Sequence, residues 1–544
     1  MPPGEQPGAS EARYGVDTFT VPAVLDARAA QWPDRVMMQI AGEPITFTEM
    51  RDRSCAAANA LQHCGVSEGD TVALFGSNSP AWVYFWLGAA RIGAIPSAVN
   101  ASNKGDFLRH ALAVTQAKLV FTDSEERLAR TLAVADSLPA LHTVLGGREL
   151  STPAASYRVR SLKDLLQQSD QSGPPSGRAR NPDDFGALFY TSGTTGPSKA
   201  VAISWRYLFT LAATVASAWE FSAHEVIWSA MPLFHISAAA TVLAPMLVGG
   251  TSVLAESFHP TQVWDEIRSC GAVGFVGAGA MLSMLWNLPA APTDSTLPLR
   301  FISAAPVAAD IFREIERRYT CRIVTMYGLT EAFPIAVKPV ADDGIPGTSG
   351  RVNEDFEVAI LEGDQPVAPG ASGEIACRAR RPGVMSLGYL DPDHSNGLFV
   401  REHDEWFRTG DMGRLDEAGN LTYVDRVKDS IRRRGENVSS VEVEAVVSAY
   451  PSVIEAAAVG VDSDLGEQDI LVAVTIAADH PFDPGALLDF CAERMPYFCV
   501  PRYVRVIDEL PKNALGRLRK DLLRQNGIGR DTWDREDHGY VVHR

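Results

Sequence analysis

The residues able to do chemistry sit in a few short runs, of which the first is Thr191-Ser192-Gly193-Thr194-Thr195-Gly196-Pro197-Ser198-Lys199. Hydroxyls, two glycines, a proline and a closing lysine in that order suit a loop around polyphosphate. Gly193, Gly196 and Pro197 let the backbone turn so that N–H groups face phosphate oxygens, and Lys199 adds a full positive charge. The same composition also describes a polar surface turn. Its setting favours the first reading, because Ala187–Tyr190 reads as a strand entering the run and Ala200–Ile203 as a strand leaving it. A Walker-type loop is excluded: it needs Gly, four residues, then Gly-Lys-Ser/Thr opening a helix. Here Gly193 and Gly196 stand too close, and Lys199 leads into an apolar strand.

Further runs follow. Tyr327-Gly328-Leu329-Thr330-Glu331 comes after the strand-like Arg322–Met326; Trp406-Phe407-Arg408-Thr409-Gly410-Asp411 precedes Asp425-Arg426-Val427-Lys428-Asp429; Ile431-Arg432-Arg433-Arg434-Gly435-Glu436-Asn437 comes next. Ser303-Ala304-Ala305-Pro306 is a turn of small residues, and Phe234-His235 closes Met231-Pro232-Leu233. Each alone also fits packing or a solvated charge run.

Together and in this order, the runs resemble the AMP-forming adenylating enzymes: acyl-CoA synthetases, adenylation domains of peptide synthetases, and luciferases. The resemblance extends from roughly residue 20 to the C-terminus. It implies ATP, Mg²⁺ and CoA as cofactors and an acid–thiol ligase as the activity. Carboxylates are poor electrophiles, so activation requires transfer of AMP onto a carboxylate oxygen, with charge neutralised and anions held in place. By resemblance Thr191, Ser192, Gly193, Thr194, Thr195, Gly196 and Lys199 hold phosphate. Ser303, Ala304, Ala305 and Pro306 border adenine and Tyr327 stacks on it, Gly328 admits close approach, Thr330 bonds the α-phosphate and Glu331 ligates the metal through hard oxygen. Asp411 accepts from the ribose diol, Arg426 donates to ribose or phosphate, and Lys428 is the hinge between two domain arrangements. Arg432 and the neighbouring arginines meet CoA phosphates, Gly435 lines the pantetheine tunnel, and His235 borders the acyl pocket. The small residues Ile236–Ala240 and Val276–Ala280 give that pocket no evident acid or base.

One departure stands near the C-terminus. Pro511-Lys512-Asn513-Ala514-Leu515-Gly516-Arg517 has arginine where the family motif ends in the lysine that bridges carboxylate and α-phosphate. Arg517 keeps the charge and binds two oxygens as a planar fork, so the exchange alters the chemistry. Lys512 and Lys520 are alternative sources of that ammonium. The ending Thr532-Trp533-Asp534-Arg535, then Gly539-Tyr540, resembles the carnitine and crotonobetaine CoA ligases and favours a small acid. Other acceptors stay open: a carrier protein, or nitrite activation with diazotisation of an aromatic amine. A non-catalytic nucleotide-binding protein of the same fold is the reading from another class.

The chain has 544 residues, above the roughly 250 to 300 at which single cores stop growing, so several domains are expected. A hydrophobic content of 46% and a charged content of 21% fit a globular protein. A net charge of −18 argues against nucleic acid or an anionic membrane as partner. The longest apolar stretch, Ile236–Ala255, is divided by Pro245 and Gly249-Gly250 and reads as buried helix, turn and strand rather than a membrane span. Seven irregularly spaced cysteines show neither a zinc nor a disulfide pattern and suggest a reducing cytoplasm. A homodimer is left open.

Short apolar runs such as Thr71–Phe75, Leu119–Thr122 and Val273–Val276 alternate with amphipathic stretches, which predicts an α/β protein with helices packed on sheets. The expected division is a tail over 1–16, a large N-terminal domain over 17–426 of two α/β sheet subdomains plus a small β subdomain from about Ala341, and a small mobile α+β domain over 427–544.

Overall fold

Apolar runs of four or five residues become strands where turns and capped helices bound them. Ser79, in extended conformation, accepts from the Trp82 N–H and starts the helix Pro80–Ile92, which ends at Gly93 in the left-handed region at φ 69°. The helix Phe47–His63 opens on a reciprocal cap between Thr46 and Glu49. The computed structural model describes residues 13–150, 156–171, 181–191, 198–307, 309–390, 399–400, 406–426, 430–434, 436–463, 466–477, 481–511, 518 and 520–542.

Among these residues the strands gather into five sheets. In an eight-stranded sheet, Thr71–Phe75 pairs in parallel with Ile95–Val99 and Leu119–Thr122, and Ile95–Val99 pairs in parallel with Phe185–Thr191. Its edge is Gly388–Tyr389, antiparallel to Lys199–Ser204. A nine-stranded sheet has a parallel centre that includes Val226–Ser229, Gly274–Val276, Phe301–Ser303 and Arg322–Leu329, with Ala332–Lys338 turning back antiparallel. A third, antiparallel sheet contains Phe356–Glu362, Ser372–Ala379 and Trp406–Leu415. This is the α/β architecture expected, with the small β part in place.

Buried aromatics fill the largest core: Trp82 stands beside Trp86, and Trp86 beside Trp205, at ring separations of 5.6 and 5.9 Å. Each such side chain contributes about 1.5–3 kcal/mol on burial. The apolar stretch resolves into a π-helical turn over Ala239–Leu243, the short helix Ala244–Val248 with Pro245 in its first turn, and the strand Thr251–Leu254. Among the described residues no helix is long and apolar enough to cross a membrane. The seven cysteines are free thiols, and burial pushes Cys321 and Cys491 up to about 12.

By contacts the chain divides into a larger unit, Met1–Ala101, Thr115–Tyr190 and Ala200–Asp425, and a smaller one, Ser102–Val114, Thr191–Lys199 and Arg426–Arg544. The smaller unit has its own core, in which Val438, Val447, Val472, Leu488 and Val504 are buried. Val16 is buried in the core of the larger unit and Tyr14 packs against that core.

Candidate active site

In the larger unit, two irregular strand pairings aim the chemistry. Along the hairpin of Arg322–Leu329 and Ala332–Lys338, Tyr327 faces Ala336 but Leu329 faces Ala332, so the register shifts at Gly328. Such a bulge bends its strand and re-aims side chains. A Cβ at Gly328 would lie 2.5 Å from the Ala332 carbonyl oxygen, so only glycine fits. The strand continues through Leu329, further than the sequence suggests, which leaves Thr330 and Glu331 as the turn.

The second irregularity lies between Ser372–Ala379 and Trp406–Leu415, where Glu374 faces Met412 and Ala376 faces Arg408. Gly410 takes the left-handed region at φ 73°, and its N–H donates to Glu374 Oε1 at 3.1 Å. Thr409 donates to the Ile375 carbonyl at 2.8 Å and accepts the Asp411 N–H at 3.1 Å. Asp411 is thereby turned inward, 4% exposed. Its Oδ2 accepts from the Tyr327 hydroxyl at 2.9 Å, joining two runs 84 residues apart. Burial first, then the Asp411 charge, pushes the Tyr327 phenol well up, so it stays protonated and donates. The Tyr327 ring lies 6.0 Å from that of Tyr423.

Glu331 is 5% exposed, and its Oε1 accepts from the Tyr389 hydroxyl at 2.6 Å. The Tyr207 hydroxyl donates to the Thr330 carbonyl at 3.2 Å. Burial, then the Glu331 charge, holds Tyr207 well above the ordinary phenol range. Among the described residues no cluster of three or more His, Cys, Asp or Glu could hold a metal unaided. One hard carboxylate at a turn fits Mg²⁺, which takes one or two protein oxygens and completes its shell with phosphate and water.

Ser303 ends the strand Phe301–Ser303, and the N–H groups of Gly277 and Gly279 donate to the Ser303 and Ala305 carbonyls, each at 3.0 Å. These two glycines therefore support the Ser303–Pro306 turn through their backbone. A Cβ at Gly279 would lie 2.1 Å from the Pro306 carbonyl oxygen. Ala304 is buried and Pro306 exposed. His235 is partly buried, with its ring 4.8 Å from that of Phe234. Asn78 pins the approach to it, donating to the Met231 and Ala255 carbonyls and accepting the Leu233 N–H at 2.9 Å.

In the smaller unit, Thr191 and Lys199 are strand ends, while Ser192, Gly193, Thr194, Thr195 and Gly196 lie outside the described residues. Ser198 is held from both sides: its N–H donates to Glu442 Oε1 at 2.6 Å, and its carbonyl meets His110 Nε2 at 3.0 Å. Burial pushes the Glu442 carboxyl up to about 7 against the Ser198 hydrogen bonds. The arginine run forms a hairpin of Ser430–Arg433 with Glu436–Ser439. Arg433 is 2% exposed, bridged to Asp469 at 3.0 Å, and donates to the Val500 carbonyl at 2.6 Å. That gives Arg433 a structural task and removes it from the arginines that the resemblance offers to CoA phosphate. Arg432 donates its backbone N–H to Gln468 at 3.1 Å, and Arg434 is exposed at φ 52° with its guanidinium 5.9 Å from the Tyr497 ring centre.

Lys520, an alternative to Arg517 on sequence grounds, is bound to Glu444 at 2.6 Å and to Ser440 at 2.8 Å, which gives it a structural task. Arg426 ends the strand Leu421–Arg426; Lys428, Gly435, Lys512 and Arg517 lie outside the described residues. Tyr207, Tyr389, Asn78, His110 and Glu442 carry no motif of their own and were not legible in the sequence.

Comparison with known proteins identifies the family. The model of the AMP-binding enzyme family matches residues 25–390, and that of the AMP-binding enzyme C-terminal domain matches 442–517. A crotonobetaine/carnitine–CoA ligase of Salmonella choleraesuis (strain SC-B67) is 30% identical over 492 residues, 88% of this chain and 93% of that protein. A probable CoA ligase, CCL9, of Humulus lupulus is 27% identical over 524 residues, 94% and 97% of the two chains. Among solved structures, the amide bond synthetase McbA of Marinactinospora thermotolerans superposes with a TM-score of 0.80 at 25% identity, over 92% of this chain and 99% of that one. The buried Tyr327–Asp411 contact and the Thr330–Glu331 turn thus sit in a chain that belongs to the AMP-binding enzyme family, as an adenylating enzyme of the acyl-CoA ligase type.

Proposed function

We propose that this enzyme joins ATP to a small carboxylic acid, releases pyrophosphate, and passes the acyl group to CoA. In the first step a carboxylate oxygen bonds the α-phosphorus as the bond to pyrophosphate breaks. In the second the thiol sulfur bonds the acyl carbon, the acyl–oxygen bond breaks, AMP leaves, and the thiol proton passes to solvent. The observation that carries the reading is the Tyr327–Asp411 hydrogen bond, which brings an aromatic face and a buried carboxylate acceptor together. Such a pair suits a purine and its ribose diol.

Thr330 would donate to the α-phosphate, while Lys199 and the hydroxyl-rich run before it would take the outer phosphates. Glu331 would hold Mg²⁺, which supplies positive charge against the departing pyrophosphate. His235 would border the acid, and Arg517 would neutralise its carboxylate. The relatives named as CoA ligases support CoA as acceptor. A second reading, in which an amine takes the acyl group, draws on the likeness to an amide bond synthetase.

Pyrophosphate release is measured over a panel of small acids, each with CoA, with an added amine and with neither, and with nitrite plus aminobenzoates, with products identified by mass. Release and a CoA thioester from a small acid are expected. Release with an amide or a diazonium product would move the acceptor, and no release under any condition would favour the binding-protein reading.

A further inference from the structure

One short segment reaches the Glu331 turn from outside every motif considered above. Met385 bridges to Ala332, and the Ser386 N–H donates to the Glu331 carbonyl at 2.8 Å. The Leu387 N–H donates to the Ala202 carbonyl at 2.8 Å, and the Leu390 N–H to the Ala200 carbonyl at 2.9 Å. Between them Gly388 and Tyr389 pair with Ala202 and Val201 as the edge strand of the eight-stranded sheet. Met385–Leu390 is therefore a strap, fixed on one side to the turn that carries Glu331 and on the other to the strand that follows the Thr191–Lys199 run.

The Tyr389 hydroxyl extends from that strap to Glu331 Oε1 at 2.6 Å, within the range of charge-assisted O–H···O⁻ bonds. The opposite side of the turn is held by Tyr207, whose hydroxyl meets the Thr330 carbonyl. Backbone and side chain of Glu331 are thus fixed separately, the first by Ser386 and the second by Tyr389. A carboxylate with its torsions already set loses less freedom when it ligates a cation, and so holds it more tightly.

We propose that Tyr389 is a positioning residue for the Glu331 carboxylate, aligning it in advance for the divalent cation that accompanies the nucleotide. The proposal rests on the reading of Glu331 as the metal-holding carboxylate. Tyr389 itself touches neither phosphate nor acid in this scheme.

The test is calorimetry of ATP binding to the full chain, with Mg²⁺ and with EDTA, for the native protein, Glu331→Gln and Tyr389→Phe. The ratio of the two dissociation constants reports cation coupling independently of turnover, and melting temperature reports folding. Native protein is expected to bind ATP more tightly with Mg²⁺, and Glu331→Gln to lose most of that gain. Tyr389→Phe is expected to lose about three- to tenfold of the gain, with its EDTA affinity and melting temperature near native, since a hydrogen bond to a charged group of this kind is worth about that factor or more. A Tyr389→Phe protein that keeps the full native ratio while Glu331→Gln loses it overturns the proposal. So does one weakened equally with and without Mg²⁺, which would make Tyr389 a packing residue only. If Glu331→Gln keeps the native ratio, the reading of Glu331 itself fails.

Discussion

The two irregular strand pairings of the larger unit and the arginine hairpin of the smaller one follow opposite rules. At the first, each motif residue is held by another part of the same site: Asp411 by Tyr327 and Thr409, Glu331 by Tyr389. At the second, three successive arginines have three fates. Arg433 is locked in the core by Asp469 and main-chain carbonyls, Arg434 is exposed, and Arg432 is fixed through its backbone. A motif of mixed residue types specifies a placement, whereas a run of one charge does not reveal which member is structural.

Breaking the first region should cost most. Glu331→Gln removes the charge proposed to hold Mg²⁺ and keeps the shape, so pyrophosphate release should fall about 10²-fold or more while melting temperature changes little. The comparison would break if that variant turned over normally. Within the arginine hairpin, Arg433→Met should lower stability by about 3 kcal/mol in urea titration, the low end for breaking a buried ion pair, because Arg502 still meets Asp469 at 2.9 Å. Arg434→Ala should leave stability within experimental scatter. Equal loss from both would erase the distinction drawn between adjacent arginines. Asp411→Asn, which keeps an acceptor oxygen but removes the charge, should raise KM for ATP about tenfold with a smaller effect on kcat.

The smallest expected effect is a pH dependence. The Glu442 carboxyl lies at about 7 in the folded chain against an ordinary 4.5. Between those values the folded state holds a proton that the unfolded chain has released. Its stabilising contribution is therefore full below about 4.5 and lost as pH rises through about 7. Glu442→Gln, still able to accept from Ser198, should flatten this part of the stability profile.

Much of this was legible in the sequence because apolar runs bounded by turn residues leave few choices. Thr71–Phe75, Leu119–Thr122 and Phe356–Leu361 all fall in strands, and the interrupted apolar stretch became helix, turn and strand. Tyr327, Glu331 and Asp411 could be singled out by their runs, but not the contact between Tyr327 and Asp411. That contact joins strands of two different sheets across 84 residues, which no local pattern signals. Tyr389, Tyr207 and Asn78 escaped notice because each acts through a hydrogen bond to a distant segment, as Asn78 does on the loop before His235. The structural tasks of Arg433 and Lys520 were hidden for the same reason: their partners, Asp469 and Glu444, lie far along the chain.

In the proposed reaction a carboxylate oxygen attacks the α-phosphorus of ATP. With an acid that turns over in the panel, labelled with ¹⁸O in its carboxylate, that oxygen becomes the bridge of the acyl adenylate and leaves with AMP. Mass analysis of the nucleotide product should find AMP carrying one ¹⁸O. Unlabelled AMP, or ADP with the label in inorganic phosphate, would contradict it.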